Sequence, residues 1–220
     1  MSVVFPQADM KPVYGVSHFL ATTAYEMLFR GDIVGLDNLP RLGGCLVAAN
    51  HASHLDPFII ASQLQRQVRF FARKTLWTPG FPSWWLNAVD VIPVDRDGGS
   101  DVTAIKLVLH ELKQQRIVIM FPEGTRSRDG RMQRPKPGVG LFACRAQVPV
   151  VPARIFGSYE ALGKGGTIPR FGTRITVVFG ERIPTGDYDQ PGAGKERYQI
   201  ASERIMAKIA GLRLPGECVI

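Results

Sequence analysis

The chain has 220 residues, 45% of them hydrophobic and 21% charged, and its 27 Lys and Arg outnumber 19 Asp and Glu for a formal net charge of +8. That length predicts one domain with a substantial buried core, and the basic excess points to an anionic partner: nucleic acid, an acidic carrier protein, a phosphorylated substrate or a membrane surface. Three cysteines (Cys45, Cys144 and Cys218) without C-x-x-C spacing argue against a disulfide framework or a zinc site and for a reducing compartment.

The first predicted element is a helix over residues 13–30. His18, Thr22, Glu26 and Arg30 recur every four residues as one polar stripe, while Val13, Val16, Phe19, Leu20, Ala24, Met27, Leu28 and Phe29 cover most of the remaining circumference. So wide an apolar face must be buried in protein or in lipid, and the pattern supports both readings. Residues 1–30 are therefore expected to form an amphipathic, membrane-associating segment ahead of a main domain over 31–220. Ser17, His18, Thr22, Thr23 and Glu26 interrupt the run, so it falls short of the roughly 18 consecutive apolar residues of a spanning helix. A secretory signal is not expected either, since Lys11 is the only cation of the leading segment and no clean cleavage site follows.

A strand is predicted over 33–40, then Gly43-Gly44 leads into the apolar strand 45–49. A helix starts near Phe58, with Asp56 as its N-cap and Pro57 at its first position. Residues 68–71 read as a strand, followed at once by Arg73-Lys74. Residues 75–88 read as irregular structure with a short helix, and they hold all three tryptophans (Trp77, Trp84 and Trp85), which suit core packing, an acyl groove or the bilayer interface. A short strand over 91–94 runs into Asp95-Arg96. A helix over 101–115 is expected to bury Val102, Ile105, Leu109 and Leu112 and to leave His110 in solvent. The strand 117–121 ends at Pro122-Glu123-Gly124-Thr125-Arg126-Ser127, and a basic loop follows with Arg128, Arg131, Arg134 and Lys136. Beyond it come a helix over 139–146, strands over 148–153 and 174–179, and a helix over 195–212 burying Tyr198, Ala201, Ile205 and Ile209. Strands alternating with helices predict an α/β fold: a single domain with a mostly parallel central sheet flanked by helices.

The stretch Asn50-His51-Ala52-Ser53-His54-Leu55-Asp56 falls at a strand-to-helix junction, and open α/β sheets bind ligands beyond the carboxyl ends of their strands. The loop can fold Asp56 back onto the His51 imidazole, making an oriented His–Asp pair and hence a general base without a protein nucleophile. The other reading of this spacing has His51 capping a turn and Asp56 capping a helix. Two further strand ends carry polar groups, Asp95-Arg96 and Glu123 with Arg126. Convergence of all three suits transfer onto a phosphorylated acceptor, with the arginines gripping phosphate through paired hydrogen bonds.

These blocks, in this order, resemble the glycerolipid acyltransferase family, that is, 1-acylglycerol-3-phosphate acyltransferases and their lysophospholipid relatives. The matching residues are Asn50 to Asp56 (an H-x4-D motif), the 92–96 region ending in Asp95-Arg96, Phe121-Pro122-Glu123-Gly124-Thr125-Arg126-Ser127, and the proline-bearing apolar strand 148–153. The likeness covers roughly 33–184. It implies His51 as base with Asp56 orienting it. It also implies an acceptor site at Arg96, Glu123, Gly124, Thr125 and Arg126, with Lys74 and Lys136 as further phosphate ligands. It implies no metal and no cofactor; acyl-CoA or an acidic acyl carrier protein serves as donor, a lysophospholipid as acceptor, and the protein sits at the cytoplasmic face of the membrane as a peripheral or monotopic protein. Val94 replaces a larger apolar residue of many relatives, which leaves the acceptor open. Lysophosphatidic acid leads, with another lysophospholipid or an amphiphilic alcohol as the alternative. A serine or cysteine hydrolase is disfavoured because no G-x-S-x-G elbow is present. A basic nucleic-acid-binding module is disfavoured because the cations do not interleave with aromatics.

Overall fold

A computed structural model of the chain describes residues 10–94 and 102–216. Its strands are β1 (Ile33–Val34), β2 (Cys45–Ala49), β3 (Val68–Arg69), β4 (Phe71–Arg73), β5 (Ile92–Val94), β6 (Ile117–Met120), β7 (Val150–Phe156) and β8 (Thr176–Phe179). The helices are α1 (Pro12–Leu28), α2 (Asp56–Gln63), α3 (Phe81–Ala88), α4 (Val102–Lys113), α5 (Gly138–Ala146), α6 (Ser158–Leu162), α7 (Thr185–Tyr188) and α8 (Arg197–Gly211). Among the described residues, six strands form one sheet in the order β1-β8-β7-β2-β6-β3, and β4 and β5 form a second pair. Every pairing is parallel except β7 with β8.

The central strand β2 is buried along its whole length, as a parallel strand covered on both faces must be. Its alternation divides the core in two. Cys45, Val47 and Ala49 point into one cluster with Tyr14 and Tyr25 of α1, Ile59 and Ile60 of α2, and Leu86 of α3. Leu46 and Ala48 point into the other, built with Val108 and Leu112 of α4, Phe142 of α5 and Ile205 and Ile209 of α8. The expected α/β fold with helices on both faces of a mostly parallel sheet is therefore what the chain adopts.

Three elements differ from expectation. The strand predicted over 33–40 ends after Val34, because Gly35 turns the chain at φ +78° and passes so close to the Phe179 carbonyl that a Cβ would lie 2.0 Å from its oxygen. On α4 the row Ala104, Val108, Leu112 faces the core, leaving Val102 56% exposed in the first turn. The third difference is the orientation of α1. His18 and Thr22, members of its polar stripe, are buried against α2, while Val16, Leu20 and Met27 are 61%, 60% and 80% exposed. The cause is at the end of α2, whose last carbonyls have no partner inside their own helix. Thr22 Oγ1 donates to Ser62 O at 2.9 Å, and His18 Nε2 donates to Leu64 O at 3.0 Å. Tyr25 adds a hydroxyl bond to Ile175 O at 2.7 Å. Polar side chains thus form the seam, and the apolar side faces outward. No helix among the described residues is long and apolar enough to cross a membrane.

Candidate active site

Sheet register brings the two best-defined motifs together. Strands β2 and β6 pair in parallel with Ala48 opposite Met120, so the three residues that follow Ala48 and Met120 run side by side and His51 meets Glu123. The backbone of His51 is clamped from both sides: its N–H donates to Glu123 Oε1 at 2.8 Å, and its carbonyl accepts from Ser127 N at 2.8 Å. Glu123 Oε2 accepts from Gln133 N at 3.0 Å. Both oxygens of this buried carboxylate are thus engaged by main-chain amides. Burial raises its pKa, and those two amides oppose the rise.

Asp56 is wholly buried, and its Oδ2 accepts from His51 Nδ1 at 2.9 Å and from the amides of Ala52 and Ser53 at 2.7 Å each. These amides precede α2. The carboxylate therefore closes the loop instead of capping the helix as the sequence suggested, and α2 begins at Asp56, one residue earlier than expected. A carboxylate can only accept, so Nδ1 carries the proton and Nε2 keeps its lone pair. The imidazole is stacked on Phe121, with ring centroids 4.0 Å apart. Orientation of the ring is thus fixed by a buried charge, two backbone clamps and an aromatic face.

His51 opens onto a cavity of about 340 Å³ that is apolar on the sides formed by Phe71, Ile105, Met120 and Phe142 and is also lined by Lys136. Gly124, at φ +67°, makes room for that lysine; a Cβ there would lie 2.9 Å from Lys136 Cδ. Arg126 is half-buried, and its Nη1 is buried without a hydrogen-bond partner. Burial pushes its pKa down, the Asp56 carboxylate pulls it up, and the like charge of Arg73 pushes it down again. His54 is exposed beside the same groups. Its pKa is lowered by partial burial and by the charges of Arg126 and His51.

Arg73, which the sequence reading passed over in favour of Lys74, is the cation whose like charge acts on Arg126. Side chains two apart on a strand share a face; Phe71 lines the cavity at His51, and Arg73 follows it by two on β4. That alternation was the available signal. Lys74 begins the next turn, is exposed, and does not line the His51 cavity. Thr125 is half-buried in the loop between Glu123 and Arg126. Arg96 lies outside the described residues, two positions beyond the end of β5, where Val94 pairs with Arg73. A hydrolytic nucleophile is not set up nearby: Ser53 Oγ accepts from Leu55 N inside the loop, and burial pushes the Cys45 thiol up to about 12.

A family model described as Acyltransferase matches residues 30–156, more than half of the chain, including every described strand from β1 to β7. The chain belongs to this acyltransferase family. Among its relatives is the chloroplastic 1-acyl-sn-glycerol-3-phosphate acyltransferase BAT2 of Brassica napus, 32% identical over 165 residues, which are 74% of this chain and 48% of that protein. A Bacillus subtilis 1-acyl-sn-glycerol-3-phosphate acyltransferase is 28% identical over 80% of this chain and 84% of its own length. The chain spans about half the length of the plant relatives it matches. The fold is shared with the crystal structure of the 1-acyl-sn-glycerophosphate acyltransferase PlsC from Thermotoga maritima, at a TM-score of 0.71 and 23% identity over 90% of this chain and 77% of that one. The acyltransferase match contains His51, Asp56, Arg73 and the 123–126 loop, but stops short of α8, which packs in the same core cluster as Phe142.

Proposed function

We propose that the chain moves a fatty acyl group from an acyl thioester to the free hydroxyl of 1-acylglycerol 3-phosphate, giving phosphatidic acid. The observation that carries this reading is the His51–Asp56 pair set beside Arg126, a half-buried guanidinium with an unpartnered nitrogen. The names of the relatives supply the acyl transfer and the acceptor. His51 Nε2 takes the acceptor's hydroxyl proton as that oxygen adds to the thioester carbonyl. A C–O bond forms, the C–S bond breaks, and the proton passes to the departing thiolate. A paired histidine without a neighbouring nucleophile suits direct attack in place of an acyl-enzyme. Arg126 and Arg73 bind the phosphate, with Lys136 on the cavity side; Arg96 and Thr125 are assigned to the same acceptor on the family resemblance alone. Glu123, with both oxygens engaged, positions His51 by its backbone. The donor, acyl-CoA or an acyl carrier protein, is a co-substrate, and no cofactor or metal enters the step.

The outward apolar side of α1 suits docking on the bilayer that holds the acceptor, so we assign the protein to the cytoplasmic face of the membrane as a peripheral or monotopic protein. The test is purified protein with both donor types and a panel of lysophospholipids, together with a phosphate-free monoacylglycerol, read by mass spectrometry. Lysophosphatidic acid is expected to be used best, and His51→Ala to lose at least a hundred-fold in rate, the usual scale for a general base. Equal use of the phosphate-free acceptor would favour an amphiphilic alcohol instead. Undiminished transfer by His51→Ala would remove the mechanism.

A further inference from the structure

We propose that the loop over residues 163–174 is a second bilayer contact, separate from α1 in sequence and selective for an anionic lipid surface. The inference rests on the reading that the acceptor resides in a membrane. Two large apolar side chains stand out from this loop, Ile168 at 75% and Phe171 at 61% exposure. Large apolar side chains held together at a surface mark an interaction site. Their outward pose is fixed by the loop's own bonds: Gly166 N donates to Gly163 O at 3.0 Å, Arg170 N to Ala161 O at 2.8 Å, and Thr173 Oγ1 to Arg170 O at 2.6 Å.

The loop is joined to the exposed end of α1. Gly172 N donates to Leu28 O at 2.7 Å, Arg30 N donates to Thr173 O at 3.0 Å, and the rings of Phe171 and Phe29 lie 6.4 Å apart. Ile168 and Phe171 thereby extend the apolar surface of Met27 and Leu28. An apolar groove of about 250 Å³ runs between the two elements, from Pro169 and Phe171 past Leu28 to Leu55 and Phe58, which flank Asp56-Pro57 of the catalytic loop. A surface that ends at the catalytic motif fits the side from which an amphiphile arrives.

Charge selects the occupant. Residues 160–181 contain Lys164, Arg170 and Arg174, with acids (Glu160 and Glu181) only at the two ends of the stretch. Asp32, the acid that reaches this region, pairs with Arg174 at 3.2 Å and leaves Lys164 and Arg170 toward the outside. Apolar tips ringed by cations match acyl chains beneath anionic headgroups.

Flotation of the full chain with vesicles tests this. One set is phosphatidylcholine and the other is phosphatidylcholine mixed with phosphatidylglycerol. Ile168→Ser with Phe171→Ser is expected to weaken binding to both sets by about ten-fold or more, and Phe171→Leu to retain it, because only an apolar side chain is required. Lys164→Gln with Arg170→Gln is expected to weaken binding to the anionic set alone, by roughly five-fold per cation. All these side chains are exposed, so thermal melting and transfer to a short-chain, water-soluble acceptor should stay at wild-type values. Vesicle binding unmoved by both double variants overturns the proposal, as does loss of binding to an acidic carrier protein with vesicle binding intact. Failure of the proposed acyl transfer would show as inactivity on the soluble acceptor in the wild type, leaving the vesicle result to stand or fall separately.

Discussion

His51 sits where a single carboxylate oxygen gathers three donors, and that crowding decides what a substitution does. In Asp56→Asn the amide oxygen can replace Oδ2 for some of these donors, but the new NH₂ has no acceptor in the loop and the buried negative charge opposite the imidazole is gone. In the proposed mechanism, the imidazolium formed during proton transfer would then lack its counter-charge. The expected result is a loss of kcat of a hundred-fold or more with a smaller change in KM, measured by steady-state titration; near-normal kcat would show that the carboxylate serves the loop's fold only. Arg126 poses the complementary question. A guanidinium grips a phosphate through two charge-assisted bonds, and lysine keeps the charge without that fork. Arg126→Lys is expected to raise the KM for lysophosphatidic acid by ten- to a hundred-fold, since one hydrogen bond to a charged group is worth about 1.5–3 kcal/mol, while the donor KM holds. An acceptor curve superimposable on wild type would exclude phosphate reading by this residue. The His–Asp pair was legible in the sequence because both partners lie within one seven-residue stretch, whereas the clamps on His51 from Glu123 and Ser127 come from a loop some seventy residues on. Arg73 was not, because its relevance depends on which face of β4 looks into the cavity.

At the scale of elements, continuous apolar runs marked the buried strands β2 and β6, amphipathic periodicity marked α5 and α8, and all four form close to where they are expected. For helix α1 the existence and the wide apolar face were clear, but which side packs on the protein was left open between two readings. Periodicity assumes that the polar stripe faces solvent, whereas here His18 and Thr22 turn inward to bond carbonyls at the end of α2. That information lies in another element and in the unfinished hydrogen bonding of a helix end. The same fact makes removal of α1 a poor test of membrane docking, since Tyr14 and Tyr25 would leave the core with it. Thr22→Val tests the seam directly. The side chain keeps its volume but leaves the buried Ser62 carbonyl without its donor, which costs about 1–3 kcal/mol. A lower denaturant midpoint at unchanged slope is expected. If stability is unmoved, the polar seam does not hold α1, and packing of its tyrosines alone would have to.

For the molecule as a whole, charge acts over two distances, and salt separates them. The formal net charge of +8 attracts an anionic bilayer or carrier over many ångströms, but at physiological salt such attraction is screened beyond roughly 8 Å. The phosphate recognition proposed for Arg126 would act at contact distance in a half-buried site, where screening by mobile ions is weaker. Raising salt is therefore expected to slow transfer onto lysophosphatidic acid presented in anionic vesicles, through weaker docking, and to slow it much less when the acceptor is a short-chain form free in water. Initial rates for both presentations, measured at matched acceptor concentration across a salt series, make the comparison. A parallel decline would mean that salt acts on the phosphate site itself, and the long-range contribution of the basic surface would be negligible. A flat response in both would remove electrostatic docking altogether and leave the apolar side of α1 and the apolar tips of the 163–174 loop as the link to the bilayer.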